Sequence, residues 1–317
     1  MSLDWRHTRE RSNAFWLRSI RWIALNLGRP VARALLWPIT LWFWIGGPRS
    51  RKASAQFLEQ ALGRPAGWRD TFRHHHAFAS VLLDRVFLLA GRDDLFEVEV
   101  HGVELLDRQL ERGRGCLLLG SHLGSFEVLR ALGLKWRNLP LRVLMYPQHN
   151  ATITRLLEAL NPEVAQTVIP LGRPDTMLRV REALDEGAVV GMLGDRIDQA
   201  GRWQSCPFLG RPACLPTGPA LLGVALQVPV ILFWGLYLGG NRYRIVFEPL
   251  HDGAPVPRAQ REEVVNTLTC RFAARLDYHA RNHPWNWFNF YDYWQEPSAM
   301  RPAGPDAASP AGDGTKR

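Results

Sequence analysis

The chain has 317 residues, 46% of them hydrophobic and 22% charged. That is ample for a sizeable core and excludes a chain disordered throughout, a fibrous repeat or a multi-span membrane protein. The formal net charge is +9, but residues 1–52 hold ten Arg or Lys against Asp4 and Glu10, leaving the rest of the chain nearly neutral. A nucleic-acid binder would carry its basic face on the folded part, so nucleic acid is not an expected partner. The four cysteines (Cys116, Cys206, Cys214, Cys270) contain no C-x-x-C pair, which argues against a zinc ribbon, a redox dithiol or a disulfide-stapled scaffold and for a reduced compartment.

The basic N-terminal stretch also carries six of the 13 tryptophans: Trp5, Trp16, Trp22, Trp37, Trp42 and Trp44. Arg and Trp beside an apolar run suit a bilayer interface. Residues 14–47 form two apolar pieces separated by Gly28-Arg29-Pro30, where the proline should end one helix and start the next. The second piece, Val31 to Gly47, has 17 residues including Arg33 and Pro38. A span needs about 20 apolar residues. Residues 1–52 therefore read as a re-entrant or in-plane membrane anchor in preference to a transmembrane helix, with a buried helical pair as the third reading. A cleavable signal peptide is not expected, because the charged lead runs through Arg11.

A mostly helical stretch follows to about Gly91, broken at Gly63-Arg64-Pro65. His74, His75 and His76 lie within it. Successive helical residues point 100° apart, so this run is not a metal set. From Glu97 onward, short apolar runs alternate with amphipathic segments. The predicted strands are Glu97–His101, Cys116–Leu119, Leu141–Tyr146, Thr167–Leu171, Val189–Leu193, Val230–Leu236 and Tyr243–Phe247. Between several of them lie predicted helices at Val103–Arg112, Ser125–Trp136, Ala151–Ala159, Asp175–Glu186 and Pro216–Leu226, and a closing helix spans about Arg258–Arg281. Such alternation implies an α/β fold, a largely parallel sheet flanked by helices. Residues 53–296 form this domain with its helical lead-in, and residues 297–317, rich in Pro, Ala, Gly and Asp, read as a disordered tail.

The segment richest in chemistry is Gly115 to Gly133: an apolar strand, the turn Gly120-Ser121-His122-Leu123-Gly124, then an amphipathic helix opening at Ser125. In an open α/β sheet, ligands bind where a strand end meets a helix start. An i, i+5 offset rotates two helical side chains about 140° apart. His122 and Glu127 meet only if His122 lies in the turn, which Gly120 and Gly124 permit. A carboxylate on Nδ1 fixes the tautomer and leaves Nε2 to take a proton from a substrate hydroxyl. Gly120–Gly124 is not G-x-S-x-G; Ser121 and Ser125 read as a turn former and a helix cap.

His122-Leu-Gly-Ser-Phe-Glu127 has the H-x4-D/E form of the glycerolipid acyltransferase superfamily. The order of the surrounding features resembles its lipid A branch, the lauroyl/myristoyl acyltransferases of Gram-negative inner membranes: an N-terminal hydrophobic anchor, Leu193-Gly194-Asp195 ending a strand, Pro207-Phe-Leu-Gly210, Val228-Pro-Val-Ile231 and the aromatic run Trp285–Trp294. The resemblance covers about residues 10–295. It implies a membrane-associated acyltransferase, with His122 as general base, Glu127 as its partner and Asp195 as the acidic residue at a strand end. It further implies an acyl thioester donor on acyl carrier protein or coenzyme A, a lipid hydroxyl as acceptor, no cofactor or metal, and attachment to the cytoplasmic face of a bacterial inner membrane.

Turn amides near Gly120–Gly124 would hold the oxyanion, so Gly120, Ser121, Gly124 and Ser125 are expected to face substrate. Tyr146, His149 and Asn150 are candidate cleft residues, and Arg196 is a candidate for a carrier or lipid phosphate. Two departures bear on the acceptor: Pro147, not Arg, follows Tyr146, and the closing segment reads Trp287-Phe-Asn-Phe-Tyr-Asp-Tyr-Trp294 where the lipid A enzymes have a W-x-H-R-R-W character. An acceptor other than lipid A stays open, as does a catalytically inactive lipid- or acyl-carrier-binding protein with the same fold.

Overall fold

The computed structural model describes the backbone of residues 14–130, 139–145, 166–197 and 201–294, and side chains within those ranges from residue 28 onward. The helices are α1 (Ala14–Gly46), α2 (Pro48–Leu62), α3 (Trp68–Leu89), α4 (Glu104–Glu111), α5 (described for residues 126–130), α6 (Thr176–Asp185), α7 (Gly218–Leu226) and α8 (Arg261–Asn282). The strands are β1 (Glu97–His101), β2 (Cys116–Gly120), β3 (Leu141–Met145), β4 (Val168–Pro170), β5 (Val189–Leu193), β6 (Trp203–Phe208), β7 (Arg211–Pro216), β8 (Val230–Gly239) and β9 (Arg242–His251). The expected helix at Ala151–Ala159 and the expected tail at 297–317 lie outside the described residues.

Seven strands form one sheet in the order β1-β9-β8-β2-β5-β3-β4. From β8 to β4 every neighbouring pair is parallel, β9 runs antiparallel to β8, and β1 is parallel to β9. All five residues of β2 are buried, as expected of a central parallel strand covered on both faces. Its side chains alternate between two cores. Leu117 and Leu119 join Val190, Leu232, Trp234, Phe272 and Leu276 on the α8 face, while Cys116 and Leu118 join Val81, Leu106, Val128 and Ile231 on the face covered by α3, α4 and α5.

Two features depart from expectation. Pro207 and Pro212 conceal the β6–β7 hairpin, since proline donates no ladder hydrogen bond; here the two prolines oppose each other, and Leu209 and Gly210 turn the chain with φ of 52° and 79°, the two-residue geometry that suits a tight hairpin. The expectation of no disulfide is corrected: Cys206 of β6 and Cys270 of α8 are bonded across 64 residues, their Cα atoms 5.2 Å apart. Only the packing of the hairpin on α8 brings them together.

Although its residues run on without a gap, α1 is two helices in space: Gly28 breaks it with φ 81°, two residues before the proline that marks the boundary in sequence. The second half packs on α3 through Ala32, Leu36 and Thr40, which are buried at helical spacing. Arg29 forms a two-pronged ion pair with the fully buried Asp84 of α3 at 2.9 and 3.1 Å, and Tyr243 of β9 donates to the same carboxylate at 2.8 Å. Away from α3 the helix is apolar and exposed at Val31, Leu35, Leu41, Trp42 and Ile45, while Trp37, still 58% exposed, stacks on Phe72 and His76 of α3. No helix among the described residues is long and apolar enough to cross a membrane.

Candidate active site

The ends of the adjacent strands β2 and β5 lie side by side, with Gly120 opposite Leu193 and the Gly194 amide donating to the Gly120 carbonyl at 2.9 Å. Past those ends the chain places His122 and Asp195. His122 sits in the turn ahead of α5, as its glycines allow. Gly124 carries φ +81°, and a Cβ there would drive into the Gly235 carbonyl of β8; the glycine lets the turn seat against the sheet.

The partner of His122 is Asp195, not Glu127. Nδ1 of His122 lies 2.7 Å from Oδ1 of Asp195, and the His122 amide donates to Oδ2 at 3.1 Å. Trp287 Nε1 and Asn289 Nδ2 each donate to the same Oδ2 at 3.0 Å, and Tyr293 donates its hydroxyl to the Asp195 carbonyl at 2.8 Å. The carboxylate is wholly buried yet receives four donors. Burial alone would raise its pKa, but the charge and hydrogen bond of His122, aided by Arg196 and the His122 amide, prevail and hold it well below the usual carboxylate range. An ionised carboxylate only accepts, so Nδ1 carries the imidazole proton and Nε2 presents its lone pair. Nε2 has no partner among the described residues, and 28% of the side chain remains exposed. Burial, then the charge of Arg196, lower the His122 pKa against the opposing pull of Asp195, with Arg85 adding to the fall. The ring is neutral near pH 7.

The Glu127 assignment is corrected by its position. Glu127 lies inside α5 and pairs with Arg85 of α3 at 2.9 Å. Arg130, one turn further along α5, is buried beside them. The turn amides are likewise engaged inside the protein: that of Gly124 donates to the Asn286 carbonyl at 2.8 Å and that of Ser125 to the Gly235 carbonyl at 2.7 Å. With the His122 amide on Asp195, these three are not available to an oxyanion. Gly120 closes β2, while Ser121 and Ser125 are buried with hydroxyls that find no partner among the described residues.

Arg196 faces the C-terminal segment. Its Nε donates to Asn289 Oδ1 at 2.7 Å and its Nη2 to the Phe288 carbonyl at 3.1 Å, so the guanidinium braces Asn289 against Asp195 where a phosphate ligand was expected. Tyr146, His149 and Asn150 lie outside the described residues.

The aromatic segment after α8 supplies what sequence reasoning missed. Asn286 brackets Tyr237 of β8, accepting from its amide at 2.7 Å and donating to its carbonyl at 3.1 Å. The Phe288 amide donates to the His122 carbonyl at 2.8 Å. Of the three successive histidines, His74 is the deepest: Nδ1 meets Ser54 at 2.8 Å and Nε2 meets the Trp287 carbonyl at 2.9 Å. Burial, then neighbouring His75, pushes its pKa down to about 3, so it is a neutral strut under Trp287. His75 and His76 have other protein partners, Thr71 with Ser50 and Thr40 respectively. The signal that could have revealed the brace is the pair Asn286 and Asn289 inside an otherwise aromatic run, since buried amides require partners.

A buried carboxylate, a tautomer-fixed imidazole and an accessible Nε2 at the end of a parallel sheet can take a proton from a bound hydroxyl. The family model for bacterial lipid A biosynthesis acyltransferases matches residues 90–296 of this chain, from just before β1 to the end of the aromatic segment. A comparison with curated proteins finds no match.

Proposed function

The chain belongs to the bacterial lipid A biosynthesis acyltransferase family and is an acyltransferase; on that premise we propose that His122 is its general base and Asp195 the carboxylate that orients it. The acceptor hydroxyl gives its proton to Nε2 as its oxygen attacks the carbonyl carbon of an acyl thioester. The tetrahedral intermediate then expels the thiolate, and the imidazolium returns the proton to sulfur. The donor is carried by acyl carrier protein or coenzyme A, and the acceptor is a hydroxyl of a lipid, lipid A-like or related. The observation that carries this reading is the 2.7 Å contact between His122 Nδ1 and a four-donor carboxylate, because it dictates which ring nitrogen is basic.

A lipid acceptor has to be met at a surface. The exposed apolar side of α1, with Trp42 77% exposed and Ile45 59% exposed, suits in-plane attachment to a bilayer interface. The Arg-rich N-terminal sequence suits the cytoplasmic face of the inner membrane. The test is transfer itself: purified protein is incubated with radiolabelled acyl carrier protein thioester and a total lipid extract, and the labelled product is identified by mass spectrometry. Labelled lipid that disappears in H122A supports the reading; equal labelling with H122A overturns it.

A further inference from the structure

We propose that Arg85 and Arg130 form a seat for a phosphate ester of one of the two substrates, with Glu127 as its built-in competitor. The inference rests on the reading of His122 as the base, because it concerns the flank of that same site. Arg130 is 4% exposed, and neither its Nε nor its Nη1 finds a hydrogen bond among the described residues; Arg85 Nε is in the same condition. Buried donors without acceptors are costly and uncommon. The carboxylate beside them among the described residues is Glu127, likewise buried, whose Oε2 forms an ion pair with Arg85 Nη2 at 2.9 Å but has no hydrogen bond of its own. Two guanidiniums against one carboxylate leave a surplus of one positive charge in a setting where burial already lowers the Arg130 pKa, with Glu127 restoring part of it and Arg85 opposing.

Guanidinium forks match the paired oxygens of a phosphate, and the placement of Glu127 leaves donors of both arginines unused. Arg85 keeps 20% of its side chain exposed, which connects the cluster to solvent. Glu127 and Arg130 stand in the described part of α5, directly after the turn that holds His122, so the cluster flanks the candidate site. A pantetheine-borne thioester and a phosphorylated lipid both bring a phosphate ester, and the chemistry of the seat is common to both.

Titrating inorganic phosphate into the full-length protein in detergent, followed by 31P NMR and calorimetry, reads the seat without turnover. Saturable binding is expected, weakened about tenfold or more in R130Q, as for loss of charge-assisted hydrogen bonds, and tightened in E127Q, which removes the competing carboxylate. A merely structural cluster would not give opposite signs. R130K and R85Q serve if R130Q does not fold. Absence of saturable binding, or equal affinity in the Arg and Glu variants, overturns the proposal. In steady-state assays, phosphate competing with the acyl thioester assigns the seat to the donor, and phosphate competing with the lipid assigns it to the acceptor; competition with neither overturns it. H122A should bind phosphate like the wild type while losing transfer, so failure of the base assignment and failure of the seat are distinguishable.

Discussion

Two carboxylates flank the turn after β2, and their surroundings are opposite. Asp195 is saturated: four donors converge on two oxygens, each donor is itself held by the fold, and Arg196 locks Asn289 in place. Glu127 is unsaturated: it pairs with Arg85, yet its Oε2 and guanidinium nitrogens of Arg85 and Arg130 have no hydrogen bond among the described residues. A saturated network has one geometry and suits orientation of a base. An unsaturated one retains binding capacity. Sequence spacing alone cannot separate these roles, because Glu127 lies five residues from His122 in the chain while Asp195 reaches it only across the sheet.

H122A is expected to lose transfer by the upper end of the usual general-base contribution of about 10²–10⁴-fold, with D195N nearer its lower end because the tautomer is freed while the base survives. Both are read as kcat/KM for the thioester at saturating lipid. E127Q, by contrast, should leave the His122 tautomer intact, visible as an unchanged imidazole 15N pattern, which D195N alters. Next come W287F and N289A: each strips one charge-assisted hydrogen bond from Asp195 and is expected to cost about 1.5–3 kcal/mol in thermal or denaturant unfolding.

The pH profile couples the two regions. Since the lowered His122 pKa keeps the base deprotonated to lower pH, the acid limb of kcat/KM should fall below the ordinary histidine value of about 6.5. R85Q, removing one of the charges that lower it, should move that limb upward. The smallest effect is remote. Burial favours protonation of Glu248, but hydrogen bonds from His279 and Arg275 outweigh it and hold its pKa at about 2. A depressed carboxylate stabilises the fold above its unfolded value and loses that stability as pH falls toward 2. E248Q should flatten the acid side of the stability profile without altering transfer near neutrality.

Much of the architecture is written locally. The apolar runs at Cys116–Gly120 and Val189–Leu193, alternating with amphipathic helices, were enough to imply a parallel sheet, and the glycines around His122 were enough to place it in a turn at a strand end. Gly28 and Pro30 mark the break in α1 directly. The period of a strand or helix is a property of neighbouring residues, so such features survive in one dimension. The partner of His122 is of another kind: Asp195 lies 73 residues away and reaches it only because β2 and β5 are adjacent in the sheet. Trp287 and Asn289 join from still further along the chain, and Cys206 meets Cys270 only after the hairpin packs on α8. Periodicity and turn chemistry therefore decided which elements form and where His122 stands. Strand order decided which carboxylate meets it, because pairing across the sheet is a long-range choice that no local pattern encodes.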